Sequence, residues 1–133
     1  MKQTRGLRNC NPGNIRKTND HWKGLRRLQT DNEFFQFVDM PHGYRALIII
    51  LQNYIRRHGC RSLASIIRRY APPTENNTSK YLGFVCNELG VPTTYEPNAD
   101  DQQTMCALAA AISRMENGTD AVMEEVTEGW NLI

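Results

Sequence analysis

A chain of 133 residues, 40% hydrophobic and 23% charged, has the size and composition of one globular domain with a single core. No apolar run approaches the roughly 18 residues that span a bilayer, and the Arg-rich start has no apolar signal region, so the sequence predicts synthesis in a cytoplasm without a signal peptide and no membrane span. The net charge of +2 conceals a polarity, because residues 1–27 hold eight Lys or Arg against Asp20 alone (+7) while residues 100–133 hold seven acids against Arg114 (−6).

The N-terminal stretch RGLRNCNPGNIR, rich in Gly and Asn, predicts irregular structure. Residues 22–38 predict a β-hairpin, with 22–25 and 34–38 as strands and 30–33 as the turn. Residues 41–58 form a long helix with Tyr44, Leu47, Ile48, Leu51, Tyr54 and Ile55 on one face, ended by Gly59. Ser62 caps a short helix through Tyr70 with Leu63, Ile66, Ile67 and Tyr70 inward, and Ala71-Pro72-Pro73 breaks it. Asn77 or Thr78 opens another helix with Tyr81, Leu82, Val85 and Leu89 inward, ended by Gly90. A Pro-containing loop, 91–98, leads to an apolar helix over 105–118, and a last short helix covers 121–128. The expected fold class is mainly α (α+β), a helical domain with one small β-hairpin spanning residues 1–133 without repeats or linkers.

Cys10, Cys60, Cys86 and Cys106 are widely spaced, form no C-x-x-C pair and do not cluster with His21, His42 or His58. The pattern predicts reduced thiols, with Cys86 and Cys106 as small core residues, no metal site and no cofactor. The basic half suits an anionic polymer, nucleic acid or the anionic glycans of a cell wall. The pairs Arg56-Arg57 and Arg68-Arg69 read as solvated helix faces.

The segment MCALAAAISRMENG singles out one carboxylate. Leu108, Ile112 and Glu116 lie at i, i+4 and i+8, so one stripe carries two aliphatics and then an acid, and Gly118 is placed to stop the helix in a left-handed cap. The nearly continuous apolarity of this helix predicts a central position, with its C-terminal end facing the 9–15 turn. A carboxyl at the end of a buried face is partly desolvated, which favours its protonated form, and glycosidases prepare their general acid in this way. The plain alternative is a helix whose last turn surfaces with Glu116 solvated.

The order NPGNI, Trp-x-Gly, an aromatic-rich strand, a Pro-x-x-Gly-Tyr helix and RYAPPTENNTSKYLGFV resembles the flagellar-type glucosaminidases of peptidoglycan, which have lysozyme-like folds with an Asn-rich turn and an "ATDPNY" loop opening a helix. In that family the catalytic glutamate ends a helix that precedes the Asn-rich turn. Here the only matching helix end is Glu116-Asn117-Gly118, so the resemblance implies a circularly permuted lysozyme-like domain. Over nearly its whole length the chain is also similar to small phage and prophage proteins with RNNNPGNIR and WAPPSEN-type signatures, usually described as virion structural proteins with lysozyme-like or transglycosylase activity suspected. The matching residues are 8–16, 69–78 and 116–118, with Cys10 where Asn is expected and Met115 where a His often precedes the glutamate.

The resemblance makes the chain an expected peptidoglycan-cleaving glycosidase, a muramidase, glucosaminidase or lytic transglycosylase. It would act on glycan strands of the cell wall after lysis, injection or non-classical export. Glu116 is the candidate acid. A second carboxylate is sought in Asp31 or Glu33 of the hairpin turn, or in Glu75 of the loop; the turn is the better source, because a small sheet forms the opposite cleft wall in lysozyme-like folds. A lytic transglycosylase needs none. Tyr81 stands where the glucosaminidases have a tyrosine near the site, or serves as a core aromatic. Asn9, Asn11 and Asn14 are candidate N-acetyl binders, though Asn beside Pro and Gly is first a turn signal. Trp22 stacks on a sugar or anchors the hairpin. A non-catalytic virion or cell-wall-binding module is the alternative reading, and nucleic-acid binding through the basic N-terminal region ranks third because no recognition helix or aromatic platform accompanies it.

Overall fold

The computed structural model describes residues 3–133 and is mainly helical; Lys2, counted in the basic N-terminal segment, lies outside the described residues. The described residues form six helices: α1 (Arg5–Arg8), α2 (Met40–Arg57), α3 (Leu63–Tyr70), α4 (Thr78–Leu89), α5 (Gln102–Asn117) and α6 (Met123–Asn131). None is long and apolar enough to cross a membrane.

Capping chemistry sets most of the boundaries. The side chains of Asp39, Ser62, Asn77 and Asp101 each accept a hydrogen bond from a backbone N–H in the first turn of α2, α3, α4 and α5. Gly90 and Gly118 end α4 and α5 at φ +67° and +72°, the left-handed region that a Cβ resists. The first turn of α3 gains a further anchor from the 91–101 loop, where Leu63 N–H donates to Tyr95 C=O (2.7 Å) and Ala64 N–H to Thr93 C=O (3.0 Å). The last helix, expected over 121–128, is shifted to Met123–Asn131.

α5 lies at the centre. Met105, Leu108, Ala109 and Ile112 are fully buried, among α1, α2, α4 and α6. α2 packs against α5 with four large, fully buried side chains, Tyr44, Leu47, Ile48 and Leu51, an i, i+3, i+4, i+7 stripe. The Tyr44 hydroxyl is paired with Ser113 Oγ at 2.9 Å, tying α2 to α5. α6 crosses α2 so closely at Gly129 that an added Cβ would stand 2.8 Å from Tyr44 Cβ and 2.9 Å from Arg45 N.

Two features depart from the sequence expectation. The N-terminal stretch expected to be irregular contains the single turn α1, capped by Thr4. The expected hairpin is not built as a pair of regular strands: residues 22–38 contribute to two isolated antiparallel bridges, Arg16 with Phe34 and Leu25 with Phe37. Backbone bonds flank each bridge, Arg26 N–H to Gln36 C=O (2.9 Å) and Val38 N–H to Gly24 C=O (2.8 Å) at one, and side chains extend the pairing. Gln36 Oε1 accepts from Thr30 N–H (2.6 Å), while Gln29 accepts from Gln36 N–H (2.8 Å) and donates to Gln36 C=O (2.7 Å). Phe35, Gln36 and Phe37 are buried in succession, which a two-sided strand alternation does not produce.

Among the described residues, Cys10 and Asn14 are the non-glycine residues at positive φ, +50° and +49°. Asn tolerates this region better than most side chains, so the Asn expected at position 10 has a backbone reason. Replacing Cys10 with Asn is expected to stabilise the protein by up to about 1 kcal/mol, read as a higher urea midpoint at unchanged slope.

Candidate functional site

The turn at 9–15 and the end of α5 meet. Asn117 Nδ2 donates to Pro12 C=O (2.9 Å) and Ser113 C=O (2.9 Å), and its Oδ1 accepts from Thr4 Oγ1 (2.7 Å). Gly6 makes the approach possible, since a Cβ there would lie 2.6 Å from Asn117 Oδ1 and 2.8 Å from Asn14 Oδ1. Asn14 is thereby set against the carboxylate of Glu116, its Nδ2 donating to Oε1 at 2.8 Å. From the other side Tyr81 of α4 donates its hydroxyl to Oε2 at 2.8 Å. Burial, and then the neighbouring Glu116 charge, raise the Tyr81 phenol far above its ordinary range, so it stays protonated and serves as a donor.

Glu116 is half-buried and opens on a groove of about 340 Å³. Its lining comes from two parts of the chain: Asn14, Arg16 and Phe34 from the N-terminal region, and Tyr54, Arg69 and Tyr70 from α2 and α3, followed by Glu75 and Asn76. Tyr70 spans the groove floor, its hydroxyl donating to Gly13 C=O, and burial followed by the Glu116 charge raises its phenol as well. Arg16 and Arg69 lie over aromatic rings, 5.2 Å from the Phe34 centroid and 5.1 Å from that of Tyr54.

The sequence-selected residues fall into two sets. Glu116, Asn14 and Glu75 line the groove, and Tyr81, buried outside its lining, reaches it only through the hydrogen bond to Glu116. Asn9, Asn11 and Trp22 do not line it. Asn9 is buried between Asp31 and Gln36, at 2.9 and 3.1 Å. Asn11 is fully buried and uses its whole amide on backbone, donating to Ile15 C=O and Phe35 C=O and accepting from Ile15 N–H. Trp22 packs against the core with its indole N–H buried and unpartnered among the described residues.

The two turn acids are engaged elsewhere. Asp31 receives the Arg5 guanidinium through both oxygens (2.8 and 2.7 Å), the Asn9 amide, and the N–H groups of Glu33 (2.8 Å) and Phe34 (3.0 Å). The Arg5 guanidinium holds its carboxyl well below the usual carboxylate range. Glu33 stands 3.4 Å from both Arg5 and Arg16. Arg16, Tyr54, Arg69 and Tyr70 are groove residues that the sequence did not single out. The RYAPPTEN segment was recognised as a motif, and it contributes Arg69, Tyr70 and Glu75.

No family model matches the chain. Its sequence is 38% identical over 130 residues to protein P5 of Pseudoalteromonas phage PM2, across 95% of this chain and 79% of that protein.

Asp31 gives the site's support a defined acid response. Its folded-state pKa is depressed, so the stability it contributes is complete above the ordinary carboxylate value and is lost as pH falls below about 4 towards the folded value. Asp31→Asn is expected to lower the thermal midpoint at neutral pH. The gap to the parent protein should hold from about pH 6 to about pH 4 and narrow as both are titrated on towards pH 2; a gap that stays constant throughout would contradict this role.

Proposed function

The chain belongs to the family of that phage protein, and we propose that it is a phage virion-associated enzyme cleaving the glycan strands of peptidoglycan, with Glu116 as general acid. The observation that carries the reading is the end of α5, where one carboxylate closes a buried helix, faces a groove and is held between Asn14 and Tyr81. A lysozyme-like fold in circularly permuted form belongs to the same proposal. In the glucosaminidase order the glutamate helix runs into the Asn-rich turn. Here Thr4 and Pro12 bond Asn117, and Asn14 bonds Glu116, although about a hundred residues of chain separate them.

Cleavage requires a proton at the leaving glycosidic oxygen and stabilisation of an oxocarbenium-like state. Each Glu116 oxygen accepts one internal hydrogen bond and keeps a further position where the acid's proton can sit, from which it can be donated to a glycosidic oxygen without dismantling the site. Asn14 and Tyr81 fix the plane of the carboxyl. Glu75 is the second acid sharing the groove, with Arg16 Nε 3.8 Å from its Oε2. Neither Asp31 nor Glu33 lines the groove, which makes Glu75 the better partner in a hydrolytic mechanism. In a transglycosylase the sugar's own hydroxyl closes on the anomeric carbon and no second carboxylate acts.

A non-catalytic virion or wall-binding module draws on the same hydrogen bonds, because a carboxylate with both oxygens held by protein donors also ties α4, α5 and the N-terminal turn together. Nucleic-acid binding is less favoured: Arg5, Arg16 and Arg26 of the basic region are each engaged by carboxylates or backbone carbonyls.

Glu116→Gln is expected to abolish digestion of purified sacculi, a loss on the order of 100- to 10,000-fold, with the thermal midpoint nearly unchanged. A flip of the Asn14 amide restores its pairing with the new side chain, since Asn14 Oδ1 has no partner among the described residues. Activity in that variant would remove Glu116 from the mechanism, and a wild-type protein that digests nothing would favour the wall-binding module. Mass spectrometry of wild-type digests separates the two chemistries. Anhydro-muramic ends are expected if Glu116 works alone, and hydrated reducing ends, lost in Glu75→Gln, if Glu75 takes part.

A further inference from the structure

The groove is not electrically neutral in its walls. Arg16 is already compensated, with Glu33 at 3.4 Å and Glu75 at 3.8 Å. Arg69 has no carboxylate within 4 Å among the described residues, although it lines the same groove. The Tyr54 ring lies 5.1 Å from its guanidinium carbon, and the Tyr54 hydroxyl also interacts with the guanidinium, so the side chain is held over the ring while no carboxylate among the described residues takes its remaining N–H donors. Arg69 sits one residue before Tyr70, whose hydroxyl is anchored on Gly13, so the guanidinium is placed at a fixed offset from the Asn14–Glu116 pair. A stacked, uncompensated guanidinium beside a carboxylate-bearing groove is a fork for a planar anion.

We propose that Arg69 is a specificity-determining residue that pairs with a carboxylate carried by the glycan, so that the groove selects acidic amino-sugar strands over neutral ones. This rests on the reading of the groove as a glycan site and adds to it the charge of the substrate. Two sources present the same group: the lactyl acid of a strand stripped of its peptides, and the carboxylates of the peptide stems. Arg69 contributes through binding, so its loss raises KM more than it lowers kcat. The interaction lies at an exposed rim and weakens with salt.

Binding measured on Glu116→Gln, which needs no turnover, tests this directly. Three probes are titrated calorimetrically: peptide-free glycan strands with free lactyl acids, peptide-bearing strands, and neutral chitin oligomers of matched length. At least one acidic probe is expected to bind about tenfold or more tightly than the neutral one. The tighter of the two acidic probes identifies which carboxylate is read. Adding Arg69→Ala should reduce the preference to near unity, and Arg69→Lys should retain part of it, since the charge remains while the stacked fork is lost. Equal binding of acidic and neutral strands overturns the proposal, as does a preference that survives Arg69→Ala, or no binding of any probe. Sacculus digestion by the wild-type protein is scored separately. Digestion without charge preference removes only the role of Arg69, whereas absent digestion with acidic binding intact removes the cleavage reading and keeps the anion site.

Discussion

The contact on which the rest of the site depends is the seam between the 9–15 turn and the last turn of α5, and Asn117 is its centre. Its amide bonds Pro12 and Ser113 on one side and Thr4 on the other, so a single buried side chain joins two segments about a hundred residues apart. Each such bond contributes about 0.5–1.5 kcal/mol net, and breaking one while its partner stays buried costs about 1–3 kcal/mol. The seam closes only because Gly6 has no Cβ. Its product is positional: Asn14 arrives within hydrogen-bonding distance of Glu116, and Gly13 arrives beneath the Tyr70 hydroxyl.

Three asparagines of one short motif thereby do different things. Asn9 and Asn11 point into the structure and fold it, organising Asp31, Gln36 and the backbone around Ile15. Asn14, at φ +49°, turns the other way and reaches the groove. A run of identical residue types gives no sign of this division. The division lies in the local backbone, which is left-handed at Cys10 and Asn14.

Helices with several turns were legible because burial imposes a period. The stripe of α2, the caps at Ser62 and Asn77, the stop at Gly90, and the central place of α5 all follow from spacing and capping chemistry. α1 has four residues and no period to read. Residues 22–38 were legible in part: the segments around Leu25 and Phe37 pair antiparallel, but no regular strand forms, and Gln29 and Gln36 hold the intervening loop with their side chains. Glu116 and Tyr81 could be named in advance, the one from an apolar helix that ends on an acid, the other from a family likeness. Arg69 and Tyr70 could not be assigned to a groove from helix spacing, because the groove lies between α3 and a turn more than fifty residues earlier in the chain.

The separation of these partners also imposes an order in time. Residue 14 leaves the ribosome long before residue 116, so the newly made N-terminal segment has neither Asn117 to close its seam nor Glu116 to receive its amide. Contacts of such long sequence range form late and slowly in folding, after the local turns of α2 to α4. A nascent or truncated chain ending before α5 therefore carries no assembled site. If the protein cuts the wall of the cell that makes it, that delay keeps each copy harmless until its synthesis has passed residue 117.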